Sequence, residues 1–355
     1  MCLNNQPRLY GINNSNRDYT LADTWGKNQF NSSFPVSLSC YLFSKNYDAV
    51  YIKSNQTMDS IIDYISIEDL FGMNPLSKNI FFSFETPFTP FQRFITGTIP
   101  RNDLVIMNSE DGSCVSTLEI KLTALPDNST CNLTEDEFGS EIVVRPDTIK
   151  YLACSIIKKF ENNVNELITA LGNVGNQIID WTDAINVIPY MFQIKQAILN
   201  IVELKYEEQY PIIMEPIWKT EGKSPRLANN CLDVFVWSDF GMLNLFLPDN
   251  GIEIRSISRH TRSMVWLYKM LWDYCYENHF DGDKIVDALS YNTKNDKAFS
   301  TNGSRTHHLM NCEELHRPRI TKSEIKNIIL GGGQNLLSPE RRFDAIIYNS
   351  PELFE

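Results

Sequence analysis

The sequence predicts a mixed α/β protein in which a mixed β-sheet is flanked by helices. Three observations predict it. Short apolar runs bounded by turn-forming residues read as strands at residues 79–84, 103–107 and 115–122. Segments further along repeat apolar residues at the helical period. The 355 residues, 43% hydrophobic and 21% charged, have a globular composition and enough chain to bury a large core without disulfides or a structural metal.

The opening forty residues are polar and aromatic, densest at Trp25-Gly26-Lys27-Asn28-Gln29-Phe30-Asn31. Lys27 and Asn28 have the chemistry to touch base edges, but they equally suit a turn that pins the N-terminal segment. Met58, Ile61, Ile62, Ile65, Leu70 and Phe71 predict a short helix over residues 58–71. Asn79-Ile80-Phe81-Phe82-Ser83-Phe84 reads as a strand ended by Glu85-Thr86-Pro87 and Pro90. Residues 103–107 and 115–122 make two more strands around the turn Ser109-Glu110-Asp111-Gly112-Ser113. Phe160, Val164, Leu167, Ile168 and Leu171, at offsets of four, seven, eight and eleven, mark one helical face. A second helical region runs from Asp180 to Lys205 and is kinked near Pro189. Residues 232–237 and 242–247 predict a hairpin, and Met264, Leu267, Leu271 and Cys275 another amphipathic helix. No repeat or low-complexity linker divides the chain, and neither residue 150 nor residue 225 is clearly marked as a boundary.

The N-terminus lacks a basic segment followed by an apolar run, and no stretch approaches the ~18 apolar residues of a spanning helix. A cytoplasmic protein is expected. Its eight scattered cysteines, with no C-x-x-C pair, then read as reduced thiols, and its N-x-[S/T] triplets as an Asn/Ser-rich composition. The net charge of −12 argues against a polyanionic partner only on average. Residues 1–250 carry all of it, with 18 basic against 30 acidic residues, while residues 251–355 carry 14 of each. A locally basic cleft beside a carboxylate metal site is compatible with that distribution.

The chemistry concentrates in Asn102-Asp103-Leu104-Val105-Ile106-Met107 and Thr117-Leu118-Glu119-Ile120-Lys121-Leu122. Strand alternation puts Leu118, Ile120 and Leu122 on one face and Glu119 and Lys121 on the other. An odd loop centred on Asp111 pairs positions whose numbers sum to 222 and sets Asp103 opposite Glu119. A two-residue Asp111-Gly112 loop instead leaves them diagonal. Charges on a strand are ordinarily just solvated. These lie among aliphatic neighbours, where burial is costly unless they pair or coordinate something. Two carboxylates can hold Mg²⁺ with water completing the octahedron, and an adjacent ammonium can orient a nucleophilic water and offset phosphate charge.

An acid, a spacer and Glu-x-Lys on the next strand resemble the PD-(D/E)xK nuclease motif, with Asn102 in place of the proline before Asp103. The longer string from Leu118 through Leu125-Pro126-Asp127-Asn128-Ser129-Thr130 is similar to the active-site segment of the HindVP-like family of type II restriction endonucleases. Asn14-Ser15-Asn16-Arg17-Asp18 and residues 25–35 are similar to it too, so the resemblance rests mainly on residues 10–45 and 100–130. It implies a restriction-endonuclease-like core with helical and β-hairpin additions in the C-terminal part. It also implies Mg²⁺-dependent cleavage of double-stranded DNA at G-Pu-C-G-Py-C. Asp103 and Glu119 would be metal ligands, the Ile120 carbonyl a third, and Lys121 the water-positioning base. Glu85 and Glu68 are candidates for a further upstream carboxylate, though each also reads as a surface or capping residue.

On this reading the chain is a single endonuclease with a catalytic core at about residues 45–250. Residues 1–44 and 251–355 would contact DNA or dimerise. A palindrome is most simply read by a homodimer, and a DNA methyltransferase acting on the same site is the functional partner. Arg255, Arg259 and Arg262, at offsets of four and seven, would contact DNA or form the solvated face of a helix. His307, His308, Cys312 and His316 lack a second Cys/His pair to complete a zinc tetrahedron and read as incidental. Gly331-Gly332-Gly333 lacks the Lys-[Ser/Thr] of a phosphate-binding loop and reads as a turn. The alternatives are a structure-selective or repair nuclease of the same superfamily, a non-catalytic sequence-specific DNA-binding protein, or an acidic scaffold.

Overall fold

A computed structural model describes residues 15–16, 27–54, 60–120, 142–205, 218–221, 224–227, 235–236, 239–243, 257–291 and 299–301. Strand β1 (Ser15–Asn16) and helix α1 (Lys27–Ser44) lead into β2 (Ala49–Ser54), β3 (Ser60–Ile65) and the short helix α2 (Ile67–Phe71). Then come β4 (Ile80–Pro87), β5 (Ile95–Thr96), β6 (Arg101–Asn108), β7 (Cys114–Leu118) and β8 (Ile142–Val144). Helices α3 (Pro146–Phe160), α4 (Val164–Leu171), α5 (Ala184–Val187) and α6 (Met191–Leu204) form a block. Beyond it lie β9 (Trp218–Glu221), β10 (Ser224–Leu227), β11 (Phe235–Val236), α7 (Asp239–Leu243), α8 (Arg259–Glu277), β12 (Phe280–Asp281), α9 (Gly282–Ala288) and β13 (Phe299–Thr301).

The sheet that matters for function has the order β1-β4-β6-β7. β1 runs parallel to β4, and the other pairs are antiparallel. Both faces of its centre are covered. Phe82 and Phe84 of β4 pair with Ile106 and Leu104 of β6, and Phe82 meets Phe71 of α2 at a ring separation of 5.8 Å. Val105 points the other way, into a core built largely from α3, α4, α6 and α8. By strand alternation Asp103 shares the face of Val105, the face turned toward the helices.

Helix α3 starts where chain chemistry allows it, with Pro146 in its first turn, where the missing N–H is not needed. Asp147 near its start and Lys158 and Lys159 near its end suit the helix dipole. It packs against α8 and is buried on almost every side. Although α8 lies past residue 250, it sits in the middle of this core, with Met264, Leu267 and Leu271 fully enclosed.

Several sequence expectations are corrected. Residues 60–65 are a strand paired with β2 rather than part of a helix, which is confined to Ile67–Phe71. Their apolar spacing serves a sheet edge as well as a helix face. The face from Phe160 to Leu171 is divided between α3 and α4 by a 3-10 turn at Glu161–Asn163. The hairpin expected over 232–247 does not form in its described part: Phe235–Val236 pairs in parallel with β2, and Met242 and Leu243 are helical. Pro189 does interrupt the next helical region, in a 3-10 turn at Ile188–Tyr190 that precedes α6. Among the described residues, Cys40, Cys114, Cys154 and Cys275 are free thiols. No described helix is long and apolar enough to cross a membrane.

Candidate active site

The β6–β7 hairpin closes through a turn whose backbone is tied internally. Asn108 N–H donates to the Ser113 carbonyl at 2.9 Å, and Gly112 N–H to the Asn108 carbonyl at 3.0 Å. Gly112 takes φ +70°, a conformation that favours glycine. The Asp111 carboxylate accepts the Ser113 N–H at 2.9 Å, and hydrogen bonds from the Ser113 side chain and then its backbone hold the Asp111 pKa below the usual carboxylate range.

Beyond a bulge between Ile106 and Met107, the strands settle into Ile106↔Ser116, Val105↔Thr117 and Leu104↔Leu118. This is the register of the odd loop. One step further it puts Asp103 level with Glu119. The ladder stops at Leu118, and there the Asp103 carboxylate accepts the Ile120 backbone N–H at 2.6 Å. Behind it, the fully buried Asn102 donates from Nδ2 to Thr117 Oγ1 at 2.6 Å, and that hydroxyl donates to the Leu104 carbonyl at 2.9 Å. A polar residue immediately before Asp103 thus cross-links the two strands.

Glu119 is only 4% exposed. Its Oε1 accepts a hydrogen bond at 3.0 Å from the hydroxyl of Thr148, in the first turn of α3. Further along that helix, Ser155 donates to Asp239 Oδ2 at the start of α7, and the Tyr151 hydroxyl interacts with the same carboxyl. Burial raises the Asp239 pKa to about 7. Burial, with the neighbouring charges of Asp239 and Glu119, pushes the Tyr151 phenol well above its ordinary value. Glu119, just past β7, and Asp239, at the start of α7, therefore both bond to hydroxyls on one face of α3.

Glu85 is half-buried on β4, level with Asp103 between the pairs Phe84↔Leu104 and Thr86↔Asn102. It adopts φ +53°, a strained value for a residue with a Cβ. Glu68 is an exposed first-turn acid of α2. Arg259 is exposed at the start of α8, whereas Arg262 is 1% exposed and stacks on the Trp266 ring at 4.4 Å. Arg262 is therefore turned away from solvent. Lys121, Arg255, His307, His308, Cys312, His316 and the triple glycine lie outside the described residues. The same holds for the side chains of Lys27 and Asn28.

Among the described residues, no three His, Cys, Asp or Glu side chains form a complete ligand set. A cation here would rest on fewer protein carboxylates, with backbone oxygen and water completing its shell. The oxygen chemistry of Asp103, Glu119 and the Ile120 carbonyl fits a hard divalent ion that keeps several waters. Thr148, Tyr151, Ser155 and Asp239 escaped the sequence reading. Their only local signal is a set of hydroxyl residues at offsets of three and seven on a helix, and Asp239 comes from a distant segment.

The helix-flanked sheet is compatible with a restriction-endonuclease-like fold, and comparison with known proteins gives the family. The chain belongs to the HindVP restriction endonuclease family, which it matches over residues 25–354. By that membership it falls among the type II restriction enzymes, which are site-specific deoxyribonucleases. It is 47% identical over 354 residues to the probable type II restriction enzyme HindVP of Haemophilus influenzae, covering 99% of this chain and 96% of that one. It is 44% identical over 353 residues to the type II restriction enzyme HgiDI of Herpetosiphon aurantiacus, covering 99% and 98%. No solved structure matches the chain.

Proposed function

We propose that this chain makes Mg²⁺-dependent double-strand cuts in DNA at a short palindrome, with G-Pu-C-G-Py-C the expected site by family resemblance. It would act in the cytoplasm as a homodimer, one active site for each strand of the symmetric target. A DNA methyltransferase acting on the same sequence would be its functional partner. The β1-β4-β6-β7 sheet between helical layers supports a restriction-endonuclease-like core. Residues 1–44, and the parts of 251–355 outside α8, would supply DNA and dimer contacts.

One observation carries the assignment of the site. The register places Asp103 level with Glu119, and Asp103 holds the peptide that joins Glu119 to Ile120. Asp103, Glu119 and the Ile120 carbonyl would hold the ion, and Lys121, two residues past Glu119, would orient the nucleophilic water and take its proton. When bound, Mg²⁺ supplies charge stabilisation at the scissile phosphate and acidifies water. The protein's own contribution is geometric. Asp103 and Thr148 fix opposite ends of the Glu119 unit, backbone and carboxylate, before substrate arrives.

The test is digestion of a fully sequenced plasmid in Mg²⁺, followed by sequencing of the ends. Discrete fragments ending at one palindrome are expected. A smear would replace this reading with an unspecific or repair nuclease. DNA binding with no new ends would replace it with a non-catalytic DNA-binding protein.

A further inference from the structure

The ladder of β7 ends one residue before Glu119, so strand pairing does not fix this side chain. A contact to its carboxylate comes from α3. Thr148, Tyr151 and Ser155 stand at offsets of three and seven, which places their side chains on one face of that helix. All three are buried. A buried hydroxyl is destabilising unless bonded. Here Thr148 serves Glu119, and Ser155 and Tyr151 serve Asp239.

Thr148 is distinctive because its hydroxyl is engaged on both sides. Its Oγ1 accepts the Arg145 N–H at 3.4 Å, within the capping turn of α3, and donates to Glu119 Oε1 at 3.0 Å. The capping contact aims the hydroxyl proton at the carboxylate. We propose that Thr148 is a positioning residue for DNA cleavage, fixing the rotation of the Glu119 carboxylate so that the ion-binding geometry exists before the ion arrives. This rests on the reading of Glu119 as a metal ligand. The loss of such outer contacts typically weakens metal affinity or activity about 10–100-fold.

The test is a Mg²⁺ titration of cleavage by Thr148→Val and Thr148→Ser proteins. Val keeps the branched shape without the hydroxyl, and Ser keeps the hydroxyl without the methyl. The expected result for Thr148→Val is a half-saturating Mg²⁺ concentration for cleavage raised about 10–100-fold, a matching loss of Mn²⁺ affinity in the DNA complex read by electron paramagnetic resonance of the free ion, and an unchanged KM for DNA. Thr148→Ser should restore the wild-type Mg²⁺ requirement. An unchanged requirement in Thr148→Val overturns the proposal, and so does an equal defect in Thr148→Ser, because that pattern marks lost packing. If Thr148→Val does not fold, Thr148→Ala is judged by the same criteria. Glu119→Ala separates the two levels. Wild-type cutting by that variant removes the reading of Glu119 itself, whereas an inactive Glu119→Ala beside an unaffected Thr148→Val removes only the role of Thr148.

Discussion

The carboxylate of Asp103 accepts the backbone N–H of Ile120 at 2.6 Å, where the ladder between β6 and β7 has just ended. A side chain thus takes over the work of a strand hydrogen bond. It ties an acid on β6 to the peptide that carries Glu119. The hairpin brings the pair together.

Removing the groups assigned to the chemistry should abolish cleavage without releasing DNA. Asp103→Ala and Lys121→Ala are each expected to lower the cleavage rate by at least about 10²-fold, the scale of losing a positioned acid–base group or its equivalent. DNA affinity in Ca²⁺, which should support binding with little cutting, should change only a few-fold. Gel shifts in Ca²⁺ and plasmid cleavage in Mg²⁺ read the two effects separately. Near-normal turnover in either variant would reject the assigned site.

Gly175 is a packing position. A Cβ there would lie 2.3 Å from the Trp272 ring. That ring stacks on Tyr268 and its centroid lies 4.2 Å from that of the Tyr276 ring. The Gly175 N–H also meets the Tyr268 hydroxyl at 3.3 Å. Gly175→Ala should destabilise the fold by about 1–3 kcal/mol. Chemical denaturation would show this as an earlier midpoint.

The two described arginines of the predicted basic face should behave differently. Arg259→Ala should reduce the salt slope of DNA binding by about one unit, as loss of one phosphate contact does. Arg262→Ala should leave that slope alone and lower stability by about 1–3 kcal/mol, because the buried side chain packs on Trp266. Binding isotherms across a salt series together with unfolding curves distinguish them.

Asp239 gives stability a pH dependence of known sign. Its folded pKa of about 7 stands above the ordinary 3.8, so the native state holds a proton that the unfolded chain releases. The stabilisation is complete below about pH 4 and is lost as pH rises to about 7, by at most about 1.4 kcal/mol per pH unit. Asp239→Asn removes this titration. Its stability relative to wild type should therefore rise between pH 5 and 7 and level off above pH 8 in urea unfolding series.

The backbone geometry of the candidate site could be read in the chain because hairpin register is local arithmetic. The odd loop centred on Asp111 places Asp103 opposite Glu119, and the bulge at Ile106 and Met107 absorbs the mismatch nearest the turn without disturbing the far end. Helix α8 was equally legible, since Met264, Leu267 and Leu271 repeat at its period and all face inward. Other features depend on tertiary context. Ile61, Ile62 and Ile65 have spacings that a helix and a paired strand both accept, and only the presence of β2 decides between them. Arg262 reads as a solvated cation until the ring of Trp266, one turn along, draws it inward. Asp239 stands more than a hundred residues from Asp103, so no local pattern announces its place beside Ser155 and Tyr151.

Occupancy of the proposed cation site is best measured by counting Mn²⁺ bound per chain in the DNA complex, using electron paramagnetic resonance of the free ion. Wild-type protein should take up Mn²⁺ at each active site, and Asp103→Ala and Glu119→Ala should each lose it while still binding DNA. Undiminished Mn²⁺ uptake by both variants would contradict the account.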